Sequence, residues 1–202
     1  MTEESKNLRT QLNDSADNIL RAVTRSVPFL KFREGQYLVG EDEIPVGREF
    51  FAFVLEWVQG WVKWSDGAIV ADKLGKVADG FKPSQREDLD DNDPTKWEND
   101  QDPWQQQNML PMEDVETGDL LIFVTTTQSG RFAIEKLAAR VARDIKSGRD
   151  RGRPIISLQV GKGTSKKYGK TYPKPHFQIE RWERDETPPP PAKDEFGDQI
   201  PY

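Results

Sequence analysis

The strongest apolar pattern in the chain predicts β-strands. Residues 50–58 are almost all aromatic, aliphatic or β-branched, and alternation places apolar side chains on both faces of one central, buried strand. Gln59 and Gly60 suit a tight turn, so we expect residues 61–64 to return as the paired strand. Five further runs are strand candidates: 36–39, 68–70, 120–127, 154–160 and 176–182.

One segment follows a helical pattern instead. Between residues 131 and 147 the apolar side chains recur near helical spacing, with Ser129 as a suitable N-cap and Gly148 as a suitable stop. Three bases recur at spacings of four and three residues, which places them on one face of the predicted helix. They are Lys136, Arg140 and Arg143.

Two long segments separate the predicted strands. Residues 80–108 contain an acidic run, 86–102, with eight acids and two bases. The tryptophans Trp97 and Trp104 lead us to expect an ordered loop that these rings pin to the sheet. Residues 161–175 contain five lysines, two tyrosines, three glycines and no acid, which predicts a long, flexible, basic hairpin.

The order of these segments predicts a mostly β fold with terminal tails. Residues 1–27 are polar with a weak helical pattern, so we expect a flexible arm. Residues 184–202 hold four consecutive prolines and several acids, so we expect a disordered tail. Residues 28–183 then form the folded domain, with several strands, long loops and one helix. The architecture that fits best is an OB-fold-like Greek-key barrel.

The charge is distributed unevenly along the chain. The formal net charge of −6 alone argues against a nucleic-acid partner. Residues 131–182, however, hold fourteen bases and four acids, so this stretch is +10 and the remainder is −16. Separation of a basic stretch from acidic segments favours an anionic partner for the basic stretch. The alternative is a charged face that only contacts solvent.

The residue types argue against catalysis and against bound metal. The chain has no cysteine and one histidine, His176, so neither a disulfide nor a Cys/His zinc site can form. No phosphate-binding loop motif is present, and the acidic run lacks the glycine and glutamate of an EF-hand. We therefore expect a protein that is not an enzyme and has no cofactor.

Binding to single-stranded DNA needs cations for the phosphates and rings on which bases stack. The basic hairpin interleaves lysines with tyrosines, and the predicted strand at 61–64 offers rings beside a cation. Ordinary packing of the two tyrosines is the alternative. The predicted DNA-binding residues are Trp61, Lys63, Arg131, Lys136, Arg140, Arg143, Lys162, Lys166, Lys167, Tyr168, Lys170 and Tyr172.

The chain ends in Asp198-Gln199-Ile200-Pro201-Tyr202. This ending resembles the tip of bacterial single-stranded-DNA-binding proteins, where acidic residues precede a terminal Ile-Pro-Phe. The resemblance implies an OB-fold core that coats single strands and a tail that recruits replication, recombination and repair proteins. The tyrosine and the glutamine depart from the usual tip and favour a divergent phage or prophage type. The residues that would bind partners are Phe196, Asp198, Ile200, Pro201 and Tyr202.

Two other functions fit part of this pattern. One is an adaptor that docks replication enzymes, and the other is a metal-dependent nuclease that uses the acidic run. No stretch approaches the roughly 18 apolar residues of a membrane span, and no signal-peptide core precedes the domain, so we expect a cytoplasmic protein of a bacterium or a phage-infected host. The oligomeric state stays open, with a homo-oligomer among the alternatives.

Overall fold

The computed structural model describes residues 27–148, 152–165 and 169–183. Within these ranges the chain forms ten strands and one α-helix, which lies between the eighth and ninth strands. The strands are β1 (Phe29–Arg33), β2 (Gln36–Val39), β3 (Asp42–Ile44), β4 (Glu49–Ala52), β5 (Val58–Ser65), β6 (Ala68–Lys76), β7 (Trp104–Asp114), β8 (Leu120–Thr125), β9 (Arg153–Thr164) and β10 (Thr171–Glu183), and the helix is α1 (Gln128–Lys146).

All ten strands belong to one sheet. The order along its main path is β10-β9-β4-β7-β8-β1-β2-β3, while β5 pairs with β7 on one side and β6 on the other. The pairs are antiparallel, except that β1 and β8 run parallel. The sheet curls into an open half-barrel, which confirms the predicted mostly β, OB-like barrel with one helix.

The main core fills the curled sheet beneath the helix. The apolar stripe of α1, which includes Ile134, Leu137 and Val141, is buried against residues of the sheet such as Phe123 and Phe177. A smaller cluster around Met109 and Ile122 includes Val27, which is 8% exposed and therefore packed, although the sequence assigned it to the arm. The rest of the predicted arm and the predicted tail lie outside the described residues. No helix in the described part of the chain is long and apolar enough to cross a membrane.

The predicted strand at 50–58 and the turn at Gln59 and Gly60 are wrong. The chain leaves the sheet after Ala52, makes one 3₁₀ turn at Val54–Glu56, and re-enters as β5, which runs through Gly60 to Ser65. The indole of Trp57 stabilises this interruption between β4 and β5, because its Nε1 donates to Oδ1 of Asn108 at 2.9 Å. Gly60 is needed for close packing rather than for a turn, since a Cβ there would lie 2.1 Å from the carbonyl oxygen of Lys73.

Two further boundaries differ from the prediction. The helix starts at Gln128, and its N-cap is Thr127 rather than Ser129, because the Thr127 hydroxyl accepts from the backbone N–H of Gly130. The predicted stop agrees with the structure, since Gly148 has a left-handed φ of 68°. The predicted flexible hairpin is mostly a paired ribbon, because β9 and β10 stay in register out to Thr164 and Thr171.

A tyrosine closes the seam between the two ends of the curled sheet. The hydroxyl of Tyr37, on β2, donates to the carbonyl oxygen of Gln159 at 2.8 Å and accepts from the backbone N–H of His176 at 3.1 Å. Burial raises the pKa of this phenol far above its ordinary value, although the contacts with His176 and Gln159 oppose the shift. Side-chain hydrogen bonds therefore connect β2 with β9 and β10 where no strand ladder does.

Replacing Tyr37 with phenylalanine should lower the free energy of unfolding by about 1–3 kcal/mol, because the N–H and the carbonyl that it satisfies lose their partner. Urea denaturation measures the change. Tyr172→Phe is the matched control, since Tyr172 is 41% exposed, and we expect its stability to change by less than about 0.5 kcal/mol. Equal stability of the Tyr37→Phe variant and the wild type would contradict the role of the seam.

Candidate nucleic-acid interface

A groove of about 600 Å³ lies between the N-terminal half of α1 and β10. Two of the side chains that line it are exposed rings: Phe132 on the helix is 52% exposed and Tyr172 on β10 is 41% exposed. Lys136 and Lys174 line the same groove. We call it the α1–β10 groove; it brings together two rings that are 40 residues apart in sequence and two lysines that are 38 residues apart.

Two glycines of β9 make room for the residues that β10 contributes. Tyr172 lies opposite Gly163 in the ladder, and Lys174 lies opposite Gly161. A Cβ on Gly163 would lie only 2.6 Å from Cζ of Tyr172, and a Cβ on Gly161 would lie 3.3 Å from Cε of Lys174. The ring and the lysine stem therefore cross directly over β9, in positions that a side chain there would prevent.

Replacing Gly163 with alanine should displace the Tyr172 ring and weaken binding of single-stranded DNA at least about 5-fold, because stacking is worth roughly 1–3 kcal/mol per base and about 1.4 kcal/mol corresponds to tenfold in affinity. Anisotropy titration of a labelled oligo-dT measures the loss. Thr164→Ala is the control, since Thr164 is exposed and adjacent on the same strand, and its affinity should stay within about twofold. Unchanged affinity of the Gly163→Ala variant would remove Tyr172 from the interface.

The electrostatics of the groove favour an anionic ligand. Neither Lys136 nor Lys174 forms an ion pair with another residue in the described part of the chain. Glu135 is the one acid among the residues that line the groove, so the two lysines outweigh it. Unpaired ammonium groups beside exposed rings can hold phosphates while bases stack.

The structure places the predicted DNA-binding residues at different distances from this groove. Lys136 and Tyr172 line it. Lys162 and Lys170 are exposed in the same β9–β10 hairpin, with Lys162 opposite Pro173. Three further predicted residues lie outside the described part of the chain and stay predictions: Lys166, Lys167 and Tyr168.

The other predicted bases of the helix do not line the groove. Arg140 is exposed, but its Nε lies 2.7 Å from Oδ2 of Asp144, one turn further along. Arg143 is exposed near the C-terminal end of α1. Arg131 is half-buried, and its Nε is buried without a hydrogen-bond partner in the described part of the chain. Among the predicted bases of the helix, Lys136 alone is in the set that lines the groove.

The predicted site at Trp61 and Lys63 is covered by the acidic segment. Nε1 of Trp61 donates to the carbonyl oxygen of Ser84 at 2.9 Å. Nζ of Lys63 lies 2.7 Å from Oδ2 of Asp90 and 2.5 Å from Oδ2 of Asp91. Hydrogen bonds to these two carboxylates raise the pKa of Lys63. Because two acids already neutralise this lysine, we leave both residues out of the proposed interface.

The two tryptophans bond to the acidic segment, but of the two rings only Trp104, the first residue of β7, ties it to the sheet. Nε1 of Trp97 donates to the carbonyl oxygen of Asp91 at 2.7 Å, and Nε1 of Trp104 donates to Oδ1 of Asp90 at 3.0 Å. Nε of Arg86 lies 2.6 Å from Oδ2 of Asp102. Across residues 27–148, 152–165 and 169–183, no three His, Asp or Glu side chains are arranged to hold a metal ion.

Three ring-bearing or cationic residues of the groove were missing from the predicted set. Phe132 was assigned to the buried stripe of the helix, although it is 52% exposed. Lys174 and His176 were not among the predicted DNA-binding residues, although both line the groove. The available signal was the alternation from residue 172 to 176, in which prolines at 173 and 175 separate tyrosine, lysine and histidine. That pattern puts the three side chains on one face.

The predicted partner-binding tip, which comprises Phe196, Asp198, Ile200, Pro201 and Tyr202, lies outside the described residues. In comparisons with known proteins, no family model, no curated protein and no solved structure matches the chain. The function is therefore argued from the chemistry of the groove and from the sequence of the tip.

Proposed function

We propose that this protein binds single-stranded DNA in the α1–β10 groove and does not catalyse a reaction. The proposal is carried by one observation: two exposed rings and two lysines without ion pairs in the described residues line the same groove. The rings are Phe132 and Tyr172, and the lysines are Lys136 and Lys174. Rings accept any base by stacking, and lysines contact any phosphate, so the site suits a strand of any sequence.

The groove favours a single strand over a duplex. In a duplex the faces of the bases are stacked on one another, so Phe132 and Tyr172 could reach them only after the strands separate. An OB-like barrel is an architecture that commonly presents such a surface.

The C-terminal tip supports a second role for the same protein. Its resemblance to the tip of bacterial single-stranded-DNA-binding proteins favours recruitment of replication, recombination and repair enzymes to coated DNA. Pro201 restricts the backbone just before the Tyr202 ring, which lowers the ordering cost when the tip binds a partner. We place this function in the cytoplasm of a bacterium or a phage-infected host.

The test is an anisotropy titration with labelled oligo-dT and with a duplex of matched length, each at two salt concentrations. We expect the oligo-dT to bind tightly at low salt and more weakly at high salt, and the duplex to bind at least about tenfold more weakly. Equal affinity for the duplex would contradict the proposal. Metal-dependent loss of the oligonucleotide during the titration would favour the nuclease instead.

A further inference from the structure

A second groove, of about 730 Å³, crosses the face of the sheet over β1, β8, β7, β5 and β6. Adjacent strands contribute side chains in cross-strand rows: Gln105 on β7 lies opposite Val62 on β5, which lies opposite Asp72 on β6. In the next row Trp64 lies opposite Ile69, and these side chains are 36% and 42% exposed. We call it the sheet groove; its surface offers an indole ring to a ligand.

An amide among the residues that line this groove indicates what kind of ligand fits. Gln107 lines the sheet groove, and only 4% of the residue is exposed. Its side-chain amide makes no hydrogen bond to another residue within the described ranges. Neither amide atom is among the fully buried side-chain atoms without a partner in those ranges, so the amide is accessible to a ligand in the groove. A primary amide both donates and accepts, so the edge of a nucleobase is a complementary ligand.

The sheet groove adjoins the α1–β10 groove at the start of the helix. Thr125, Thr126 and Thr127 line the sheet groove, and the next two residues, Gln128 and Ser129, line the α1–β10 groove. Consecutive residues of one chain segment therefore line both grooves. The two grooves present the same kinds of group, namely rings and cations.

The charge of the sheet groove also suits a phosphate backbone. Lys31 and Arg33, on β1, line it and are exposed, and neither forms an ion pair with another residue in the described part of the chain. Asp72 is the acid among the lining residues, and it belongs to β6, at the other end of the five-strand path from β1. The β1 side of the groove is thus the basic side.

We propose that the sheet groove binds further nucleotides of the strand that occupies the α1–β10 groove. In this arrangement a base stacks on Trp64, the amide of Gln107 hydrogen-bonds to the edge of a base, and Lys31 and Arg33 contact phosphates. The inference rests on the proposed function, because it extends the same bound strand. It adds a longer site and a contact that can distinguish one base from another.

The test uses two labelled oligonucleotides, one of about 5 and one of about 16 nucleotides, which bracket the site sizes of single barrels. The variants are Trp64→Leu, Gln107→Met and the double variant Lys31→Gln/Arg33→Gln. Each variant should bind the long oligonucleotide about tenfold more weakly than the wild type does. Its affinity for the short oligonucleotide should stay within about twofold of wild type, because the short strand fills the α1–β10 groove alone. Intrinsic tryptophan fluorescence should be quenched by the long strand, with less quenching in Trp64→Leu.

Stability measurements separate recognition from folding. Gln107→Met removes an amide that makes no hydrogen bond in the described residues, so its stability should match that of the wild type while its affinity falls. If all three variants bind the long oligonucleotide within twofold of wild type, the inference is overturned, and the proposed function stands as long as Lys136→Gln/Lys174→Gln weakens binding. If the wild type binds neither oligonucleotide, the proposed function and the inference are both wrong.

Discussion

Replacing Lys136 and Lys174 with glutamine should weaken binding of single-stranded DNA about 100-fold at low salt. Both lysines line the α1–β10 groove, and neither is neutralised by an acid in the described residues. A contact to a charged group is worth roughly 1.5–3 kcal/mol, and about 1.4 kcal/mol corresponds to tenfold in affinity. Each phosphate contact on a single strand also contributes about 0.7 to the slope of log K against log salt, so the slope should flatten by about 1.4. Anisotropy titrations at four salt concentrations measure both quantities.

The matched control is Lys82→Gln/Lys96→Gln, which removes the same charge from exposed lysines in the loop between β6 and β7. Lys96 already pairs with Asp93 at 3.3 Å, and neither control lysine lines the groove. We expect affinity within about twofold of wild type and an unchanged slope. An equal effect of the two double variants would show that only net charge matters, and an unchanged slope in the groove variant would place the phosphate contacts elsewhere.

Replacing Asp114 with alanine should lower the free energy of unfolding by about 3 kcal/mol at neutral pH. Nε of Arg48 lies 2.7 Å from Oδ2 of Asp114, and Nη2 lies 2.9 Å from Oδ1. Oδ1 also accepts from the backbone N–H groups of Glu116 and Thr117, which form the turn into β8. Without the carboxylate, the half-buried guanidinium of Arg48 keeps only Glu116 as a partner and two N–H groups of this turn lose theirs, and urea denaturation measures the cost.

The destabilisation should depend on pH. Burial alone would raise the pKa of Asp114, but the hydrogen bonds from Arg48 and from the two backbone N–H groups outweigh it and lower the pKa. A carboxyl whose pKa is lowered by folding stabilises the protein above its unfolded pKa, about 3.9, and loses this contribution as the pH falls through the folded value. The difference between wild type and Asp114→Ala should therefore shrink below about pH 4. Asp119→Ala, at an exposed position, is the control; a pH-independent difference would contradict the assignment.

The sequence pattern predicted those elements of the fold whose partners lie nearby in the chain. The stripe that includes Ile134 and Leu137 predicted α1, and the apolar runs predicted β8, β9 and β10. The break after Ala52 could not be predicted, since it depends on Asn108, which is 51 residues away from Trp57. β7 was missed because three consecutive glutamines and Pro111 hide its alternation, although it pairs with three other strands.

The types of residue in the candidate site could be predicted from the sequence, but the way the fold brings them together could not. Composition singled out the basic hairpin and hence Tyr172, and helical spacing singled out Lys136. Lys63 is paired with Asp90, 27 residues further along the chain, so no local sequence pattern signals that this lysine is neutralised. Phe132 follows the same helical spacing as buried residues, and only the position of β10 shows that this ring faces a groove.

The most direct measurement is ultraviolet cross-linking of the full-length protein to oligo-dT, with the cross-linked peptides mapped by mass spectrometry. If a single strand occupies the α1–β10 groove, its bases touch the exposed rings there. We therefore expect cross-links at Tyr172 and Phe132 that disappear when excess unlabelled single-stranded DNA competes. Competable cross-links confined to the acidic segment around Trp97, with none in the α1–β10 groove, would contradict the proposed interface.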